Sequence, residues 1–424
     1  MLTSEPTPLP AAIRTRLLIE PAGGVRTSVL PAEDPERASA VSAGSGIPRA
    51  ILARHGATVR QTHRRANVVV VDVPAERQAA LAADLAAAGF VARPPKPVFA
   101  LLDESVPAQH IPALWRAGHE GAGARVAIVD TGADRHPDIA DRIAAARDFT
   151  GHGDVDDVGH GTHVAGIVAG AGETYRGVAP KAWLVIAKAL AADGGTEDAV
   201  LAAMSWASRQ DVAVMNLSLG GPGDPRDALS REVDALWADG ILVCVAAGNS
   251  GPGPRTIGSP GTAAGAITVG ATDKHGALAA YSSRGPVPGL RAAKPDLVAV
   301  GGGVTPQAAC PYGSGVASAR AAALARDRCG VAPRYVRMSG TSMATPHVAG
   351  LCALLLVMAR QATKVARARA VKRALLQGAV DLGLGPDAAG AGIVDGARSL
   401  AALRGSRSRR PGSATSVSSG VKAK

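Results

Sequence analysis

From Gly123 onward, short runs of aliphatic and β-branched residues alternate with longer amphipathic segments. The apolar runs predict strands at 125–130, 183–190, 212–219, 241–248 and 266–272. Helices are predicted at 163–169, 197–209, 227–238 and in the apolar run after Ser342. Because strands that alternate with helices form sheets covered on both faces, the pattern predicts a three-layer α/β domain with a mostly parallel central sheet.

A smaller α/β pattern precedes this domain. Residues 67–73 form a β-branched strand, and Pro74 starts an Ala/Leu-rich helix that Gly89 closes. Residues 90–102 return as an extended segment whose prolines exclude a central strand position. Residues 1–45 show weak periodicity and stay unassigned, with a disordered extension as one interpretation. The predicted organisation is 1–45, a small α/β unit at 46–102, the main domain at 103–403 and a tail at 404–424.

The composition fits a globular protein with an aliphatic core, since 47% of the 424 residues are hydrophobic and 3% are aromatic. The longest apolar run, 348–359, has 12 residues, whereas a membrane-spanning helix needs about 20. The N-terminal stretch has no basic start followed by an apolar run, so it predicts no export signal. The sequence therefore predicts a soluble protein without a membrane span. It assigns no compartment, and cytoplasmic is only the default.

The net charge of +11 comes from two basic segments. Residues 360–373 contain six basic side chains and no acid, and seven more follow Asp395, again without an acid. The tail is a Ser/Gly/Arg-rich low-complexity segment that predicts disorder. Nucleic acid is one partner for such a tail, but no aromatic residue is interleaved with the charges, which favours a solvated tail.

The four cysteines fall into two pairs. Cys244 and Cys352 lie in apolar runs and are predicted to be buried core thiols. Cys310 and Cys329 flank an irregular Gly/Ala-rich segment, and a disulfide between them depends on the redox compartment.

Asp130 is the first candidate for chemistry. It ends an apolar strand and precedes Thr-Gly, which puts its carboxylate at the edge of the predicted sheet, where ligands of such folds bind. One interpretation is a turn cap and another is a partner that orients an imidazole. A DTG triplet is also typical of aspartic proteases, but the sequence has no second copy, so that mechanism would require a homodimer.

His160 is the second residue of the segment GHGTHVAG and is predicted to lie at a helix N-terminus. Gly161 beside it would let another segment approach closely. His160 and His163 also have the spacing of two metal ligands on a helix, yet no HExxH motif or third ligand accompanies them, so zinc is disfavoured.

The segment MSGTSMATPHVAG places three hydroxyls, those of Ser339, Thr341 and Ser342, before an apolar helix. The helix is predicted to begin near Ser342, because a proline such as Pro346 is tolerated only in the first turn. A serine at that position lies beside unpaired N–H groups, which favour negative charge on an adjacent oxygen.

Together these segments carry the order Asp130, His160, Ser342, the chain order of subtilisin. VAIVDTGADRHPDI, GHGTHVAGIVAG and MSGTSMATPHVAG closely resemble the three catalytic blocks of the subtilisin-like serine proteases. The resemblance implies Ser342 as the nucleophile, His160 as the general base and Asp130 as the residue that fixes the imidazole tautomer. Asn249 in VAAGNSG resembles the oxyanion-binding asparagine of that family.

Similarity to this family also implies a substrate site. The segment Ser218, Leu219, Gly220 resembles the strand that pairs with an extended peptide, and Ala246, Gly248 and Gly258 resemble the walls and floor of the primary specificity pocket. A glycine floor would accept a large apolar side chain. Partners are then protein or peptide substrates, together with an inhibitory propeptide at about 46–102 that self-cleavage would remove between Phe99 and Val106.

The chain also departs from the family. The loop AGAGETYRG is shorter than the family's calcium loop and lacks its asparagines, so no cofactor is required on this reading, although Asp138 matches one calcium ligand. An extra loop at about 305–337 precedes the nucleophile. Two rival functions stay open, a catalytically silent peptide-binding protein of the same fold and a nucleic-acid-associated protein.

Overall fold

A computed structural model describes residues 14–22, 49–63, 68–93, 104–173, 175–303, 315–324 and 331–405. The chain divides into two compact units, residues 1–98 and 99–424. Cys310, Cys329, residues 99–103 of the predicted cleavage window and the tail from residue 406 lie outside the described residues.

The first unit is a four-stranded sheet with two helices. Its elements are β1 Arg14–Pro21, α1 Arg49–Arg54, β2 Thr58–His63, β3 Val68–Pro74, α2 Gln78–Ala87 and β4 Phe90–Arg93. The strand order is β2-β3-β1-β4, and β1 runs antiparallel to both neighbours. The predicted β3–α2–β4 crossover is therefore present with β1 inserted between its two strands, and β4 lies at the edge of the sheet.

The insertion of β1 differs from the sequence-based prediction, which assigned no element before Arg49. Leu17 and Ile19 of β1 are buried with Val71 of β3 and Leu81 and Leu85 of α2. One short strand supplies the centre of the sheet, and its eight residues are too few to show a convincing period on their own.

The second unit is built on a seven-stranded parallel sheet, which confirms the predicted fold class. Its sheet strands are β5 Arg125–Asp130, β6 Ile143–Asp148, β7 Trp183–Lys188, β8 Val214–Leu217, β9 Leu242–Ala246, β10 Ile267–Thr272 and β11 Leu297–Val300. The strand order is β11-β10-β9-β8-β5-β7-β6, and every neighbouring pair is parallel. The five predicted strands are all present, whereas β6 and β11 lie in segments where no strand was predicted.

The helices of this unit cover both faces of the sheet. They are α3 Ser105–Ala108, α4 Pro112–Arg116, α5 His160–Ala169, α6 Glu197–Ser208, α7 Ala228–Ala238, α8 Thr341–Leu356, α9 Lys364–Gly378, α10 Pro386–Ala389 and α11 Gly396–Gly405. In β5, Val126 and Ile128 face a core shared with α5 and α8, while Ala127 and Val129 face a core shared with α6 and α7. Alternation within one strand thus builds the three layers.

Two buried thiols lie in the larger core. Cys244 of β9 and Cys352 of α8 have no exposed surface, and their sulfur atoms are 3.8 Å apart. The prediction that both are core thiols is confirmed. Within the described ranges, no helix combines the length and the apolar character needed to cross a lipid bilayer.

Candidate active site

The candidate site lies where three adjacent parallel strands end. Asp130 is the last residue of β5, Ser218 follows β8, and Asn249 lies three residues after β9. Because β9, β8 and β5 are neighbours with the same direction, their carboxyl ends bring these residues to one edge of the sheet.

Asp130 and His160 form a hydrogen-bonded pair. Asp130 is fully buried, and its Oδ1 atom accepts from the Thr131 amide at 2.8 Å and lies 2.7 Å from His160 Nδ1. A carboxylate can only accept here, so Nδ1 carries the proton and Nε2 is left as the basic nitrogen. The His160 side chain keeps 27% of its surface exposed, which gives that nitrogen access to a ligand.

The environment sets the proton affinity of His160 through opposing effects. Burial lowers the pKa of its imidazole, but the charge and hydrogen bond of Asp130, with the charge of Asp156, outweigh burial and raise the pKa above the ordinary 6.5. The pair therefore stabilises a protonated imidazole once a proton has been taken up.

Asp156 holds the first turn of α5 in place and was not singled out from the sequence. Its buried carboxylate accepts from the amides of Gly159 and Thr162 at 2.7 Å each, and from the hydroxyls of Thr131 at 2.8 Å and Thr162 at 2.6 Å. Since Thr131 follows Asp130 and Gly159 precedes His160, this carboxylate ties both partners of the pair together.

Gly161 is a glycine because the turn after Asp130 crosses α5 at this point. A Cβ on Gly161 would lie 2.1 Å from the carbonyl oxygen of Gly132. The Gly161 amide also donates to the Thr131 hydroxyl at 2.8 Å. The prediction that Gly161 permits close approach of another segment is confirmed.

His163 has a structural environment rather than that of a metal ligand. It is fully buried, and its Nε2 atom lies 3.0 Å and 3.1 Å from the carbonyl oxygens of Val316 and Val336, so that nitrogen donates. Burial lowers the pKa of His163 to about 3, which keeps the ring neutral.

The partners of His163 also locate the extra loop. Val316 and Val336 belong to a two-stranded antiparallel sheet, β12 Val316–Ala319 and β13 Tyr335–Met338. Ser318 of β12 donates to the His163 carbonyl oxygen at 2.8 Å. The described part of the loop is therefore packed against the helix that carries His160.

The first turn of α8 presents Ser342. The helix begins at Thr341, as predicted, but Pro346 is its sixth residue and so lies beyond the first turn. Without an N–H, Pro346 cannot bond the carbonyl of Ser342, and the Ser218 hydroxyl donates to that oxygen instead at 2.8 Å. In return the Ser342 hydroxyl donates to the Ser218 carbonyl oxygen at 3.1 Å.

The other two hydroxyls of the segment have different environments. Ser339 is 9% exposed, and its hydroxyl has no partner among the described residues. Thr341 is fully buried, donates to Asn249 Oδ1 at 3.0 Å and accepts from the Gly248 amide at 3.2 Å. Asn249 Oδ1 also accepts from the Thr341 amide at 2.9 Å. These bonds fix the amide group, so that Nδ2 is the end available to a ligand.

A cavity of about 560 Å³ opens beside Ser342 and Asn249. All six residues that the sequence assigned to substrate binding line it: Ser218, Leu219, Gly220, Ala246, Gly248 and Gly258. At Gly258, a Cβ would lie 2.6 Å from the carbonyl oxygen of Gly221, so the glycine serves the close approach of the two walls. Arg255 and Thr256 also line the cavity, and the sequence had not indicated them.

Asp138, the predicted calcium ligand, is paired with neighbouring side chains. Its Oδ2 atom accepts from the Tyr335 hydroxyl at 2.9 Å, and its Oδ1 atom lies 3.9 Å from His136 Nδ1. No group of three or more His, Cys, Asp or Glu side chains suited to a metal ion occurs in the described parts of the chain. Calcium binding by Asp138 stays a prediction.

Comparison with known proteins places this geometry in a family context. The model of the subtilase family matches residues 121–397. The serine protease AprX of Bacillus subtilis (strain 168) is 39% identical over 292 residues, which are 61% of this chain and 63% of that protein. The M-protease of Shouchella clausii (strain KSM-K16) is 38% identical over 247 residues, 58% of this chain and 57% of that protein. The chain therefore spans about three fifths of these relatives.

A solved structure extends the comparison to three dimensions. A protease from Pseudoalteromonas arctica PAMC 21717 is similar with a TM-score of 0.57 and 26% identity, covering 70% of this chain and 94% of that one. The family match contains Asp130, His160, Asn249 and Ser342 and spans well over half of the sequence. The chain therefore belongs to the subtilase family.

Proposed function

We propose that this chain is a serine endopeptidase that hydrolyses peptide bonds through an acyl-enzyme and is made as a precursor that removes its own N-terminal unit. The observation that carries the proposal is the 2.7 Å Asp130–His160 pair at the sheet edge where Ser342 and Asn249 share a cavity. Family membership supports the same reaction class.

In the proposed acylation step, the Ser342 hydroxyl first leaves the Ser218 carbonyl by rotation about its Cα–Cβ bond. Its oxygen then attacks the substrate carbonyl carbon while His160 Nε2 takes the proton. Asp130 keeps Nδ1 protonated and stabilises the imidazolium. Its burial suits this role, because a charge of opposite sign acts more strongly where water is excluded.

The negative charge that forms on the substrate oxygen needs donors. Asn249 Nδ2 is one candidate, because its amide is held by Thr341. The backbone amide of Ser342 is the other, since it lies in the first turn of α8, where amides have no intrahelical partner. Collapse of the tetrahedral species breaks the C–N bond as His160 protonates the leaving amine. A water molecule then repeats the attack and releases the acid.

Self-processing would occur N-terminal to Ser105. Ser105 is 3% exposed, its hydroxyl lies 2.9 Å from His347 Nε2, and Val106 is fully buried. These contacts within the second unit favour a cleaved bond at the earlier end of the predicted window, at 99–104. The propeptide role of the first unit is part of the proposal and agrees with the division of the chain after Val98.

The test compares the intact masses of the purified wild-type chain and Ser342→Ala after the same incubation. The wild type is expected to lose about 100 residues from its N-terminus, the predicted length of the unassigned extension and propeptide together, while Ser342→Ala stays whole. Labelling by a fluorophosphonate is expected for the wild type alone. Labelling that survives in Ser342→Ala would contradict the assignment of the nucleophile.

If both proteins stay whole, labelling separates the remaining explanations. A labelled wild type would keep the peptidase assignment and remove only self-processing. An unlabelled wild type that still binds peptides would instead support the silent peptide-binding function.

A further inference from the structure

The cavity beside Ser342 contains a single charged residue. Seventeen residues line it, and the other sixteen are all uncharged, most of them small residues such as Gly, Ala and Ser. The exception is Arg255, which is exposed and makes no ion pair with any residue in the described part of the chain. No acid lines the cavity to offset its charge.

The backbone at Arg255 is held in an unusual conformation. Its φ angle is +59°, in the left-handed region that side-chain-bearing residues seldom adopt. The neighbouring segment imposes this conformation, because the Arg255 amide donates to the Gly285 carbonyl at 3.0 Å and the Thr256 amide to the Arg284 carbonyl at 2.9 Å. A residue kept in such a conformation by its surroundings is often one that serves a site.

The next residues along the chain reach the cavity wall. Ile257 is buried, and Ser259 exchanges two backbone hydrogen bonds of 2.9 Å with Gly221 on the opposite wall. Arg255 is therefore attached to a rigid frame at a fixed place among the lining residues, rather than on a free loop.

We propose that Arg255 selects substrates with a carboxylate in this cavity, that is, Glu or Asp at the residue whose carbonyl is attacked. This inference rests on the proposed function. The walls contributed by Leu219, Ala246 and Ala247 contact the stem of the side chain, and the guanidinium of Arg255 pairs with the carboxylate. The proposal replaces the earlier expectation that this cavity accepts a large apolar side chain with a side chain that has an apolar stem and an acidic end.

The test uses two peptides that differ only by Glu or Gln at this position, so that shape is matched and charge alone changes. Wild-type chain after self-processing is expected to show a kcat/KM about fivefold higher for the Glu peptide, the effect of one partly exposed ion pair. The preference is expected to fall as salt is raised. In Arg255→Gln it is expected to disappear.

Arg291→Gln is the matched control. Arg291 is exposed and does not line the cavity, and the substitution removes the same charge as Arg255→Gln. It is expected to keep the wild-type preference. Arg255→Gly is a second variant, since glycine adopts φ +59° without strain and preserves the loop. A wild-type preference for Gln, or a Glu preference that survives both Arg255 variants, overturns the inference.

Failure of the proposed function gives a different result. If no peptide is turned over and Ser342 is not labelled by a fluorophosphonate, the peptidase assignment fails. Binding of the same two peptides to the wild-type chain then still tests Arg255, because charge selection in the cavity does not need turnover. Equal affinity for the Glu and Gln peptides would overturn the inference in that assay.

Discussion

The first turns of α5 and α8 meet at the same site but are held by different chemistry. Around α5, the buried carboxylates of Asp130 and Asp156 accept hydrogen bonds from amides, hydroxyls and an imidazole. Around α8, the links run through neutral groups, those of Thr341, Ser218 and the Asn249 amide.

The difference follows from the charge that would develop beside the first turn of each helix in the proposed reaction. A base that becomes cationic is stabilised by buried anions, and the raised pKa of His160 reflects this. An oxygen that becomes anionic needs donors and would be repelled by a carboxylate, so neutral amides and hydroxyls suit the α8 end. We therefore expect variants near α5 to change activity through lost charge, and variants near α8 to change it through lost alignment of hydrogen-bond donors.

The largest effect is expected for Asp130→Asn. The amide keeps the shape of the carboxylate but loses its charge and can donate to Nδ1, which favours the wrong tautomer of His160. We expect kcat to fall about 10⁴-fold. Steady-state kinetics on a peptide substrate measures it, with the exposed Asp141→Asn as control. A loss of less than tenfold would mean that the buried anion is not needed by the base.

A smaller loss is expected for Asn249→Ala at the neutral end. Removing Nδ2 deletes one proposed oxyanion donor and should lower kcat about 100- to 1000-fold with little change in KM. Thr341→Val keeps the side-chain volume and retains Asn249, but it removes the hydroxyl that donates to Asn249 Oδ1. We therefore expect a smaller fall in kcat, about tenfold. If KM rises while kcat holds for Asn249→Ala, the side chain binds substrate rather than the transition state.

The smallest effect on rate, and the clearest on pH dependence, is expected for Asp156→Asn. The charge of Asp156 raises the pKa of His160, so its removal lowers that pKa. Because protonated His160 cannot act as a base, kcat/KM falls as pH drops through this pKa, and in the variant the fall should occur at lower pH. Profiles of kcat/KM against pH for both proteins measure the shift; an unchanged acid limb would contradict the charge argument.

The free energy of unfolding tests the roles of Asp156 and His160 independently of activity. The broken hydrogen bonds of Asp156→Asn should lower the free energy of unfolding by about 1–3 kcal/mol. In the wild type, a folded pKa of His160 above 6.5 contributes stability that is fully present below pH 6.5 and is lost as pH rises through the folded pKa. Activity and this contribution to stability therefore change in opposite directions with pH.

Much of the second unit could be predicted from the sequence because its strands are buried on both faces and form continuous apolar runs. Arg125–Asp130 was predicted to the residue. Ile143–Asp148, by contrast, lies at the sheet edge and has no fully buried residue, and three of its six residues are alanine, so its composition is weakly typical of a strand. The strand at Arg14–Pro21 was missed because its partners, residues 69–74 and 90–93, lie far away in the sequence.

The candidate site shows the same limit. Three motifs led to Asp130, His160 and Ser342 by their order along the chain. Asp156 could not be told apart from the neighbouring acids at 154 and 157, since only the fold decides which carboxylate faces the helix N-terminus. Arg255 gave no signal either, because its meaning depends on a cavity wall that long-range contacts create.

In the proposed mechanism, the reciprocal hydrogen bonds between Ser218 and Ser342 would couple peptide binding to the attack by the Ser342 hydroxyl. The Ser218–Gly220 segment is proposed to pair with the peptide. Its first residue, Ser218, donates to the Ser342 carbonyl oxygen and accepts a hydrogen bond from the Ser342 hydroxyl. A peptide that shifts this segment would shift the nucleophile with it. Peptide binding to this segment and the position of the Ser342 hydroxyl would then change together. The link exists because Pro346 has no N–H to bond the Ser342 carbonyl, which leaves that oxygen free to accept from Ser218.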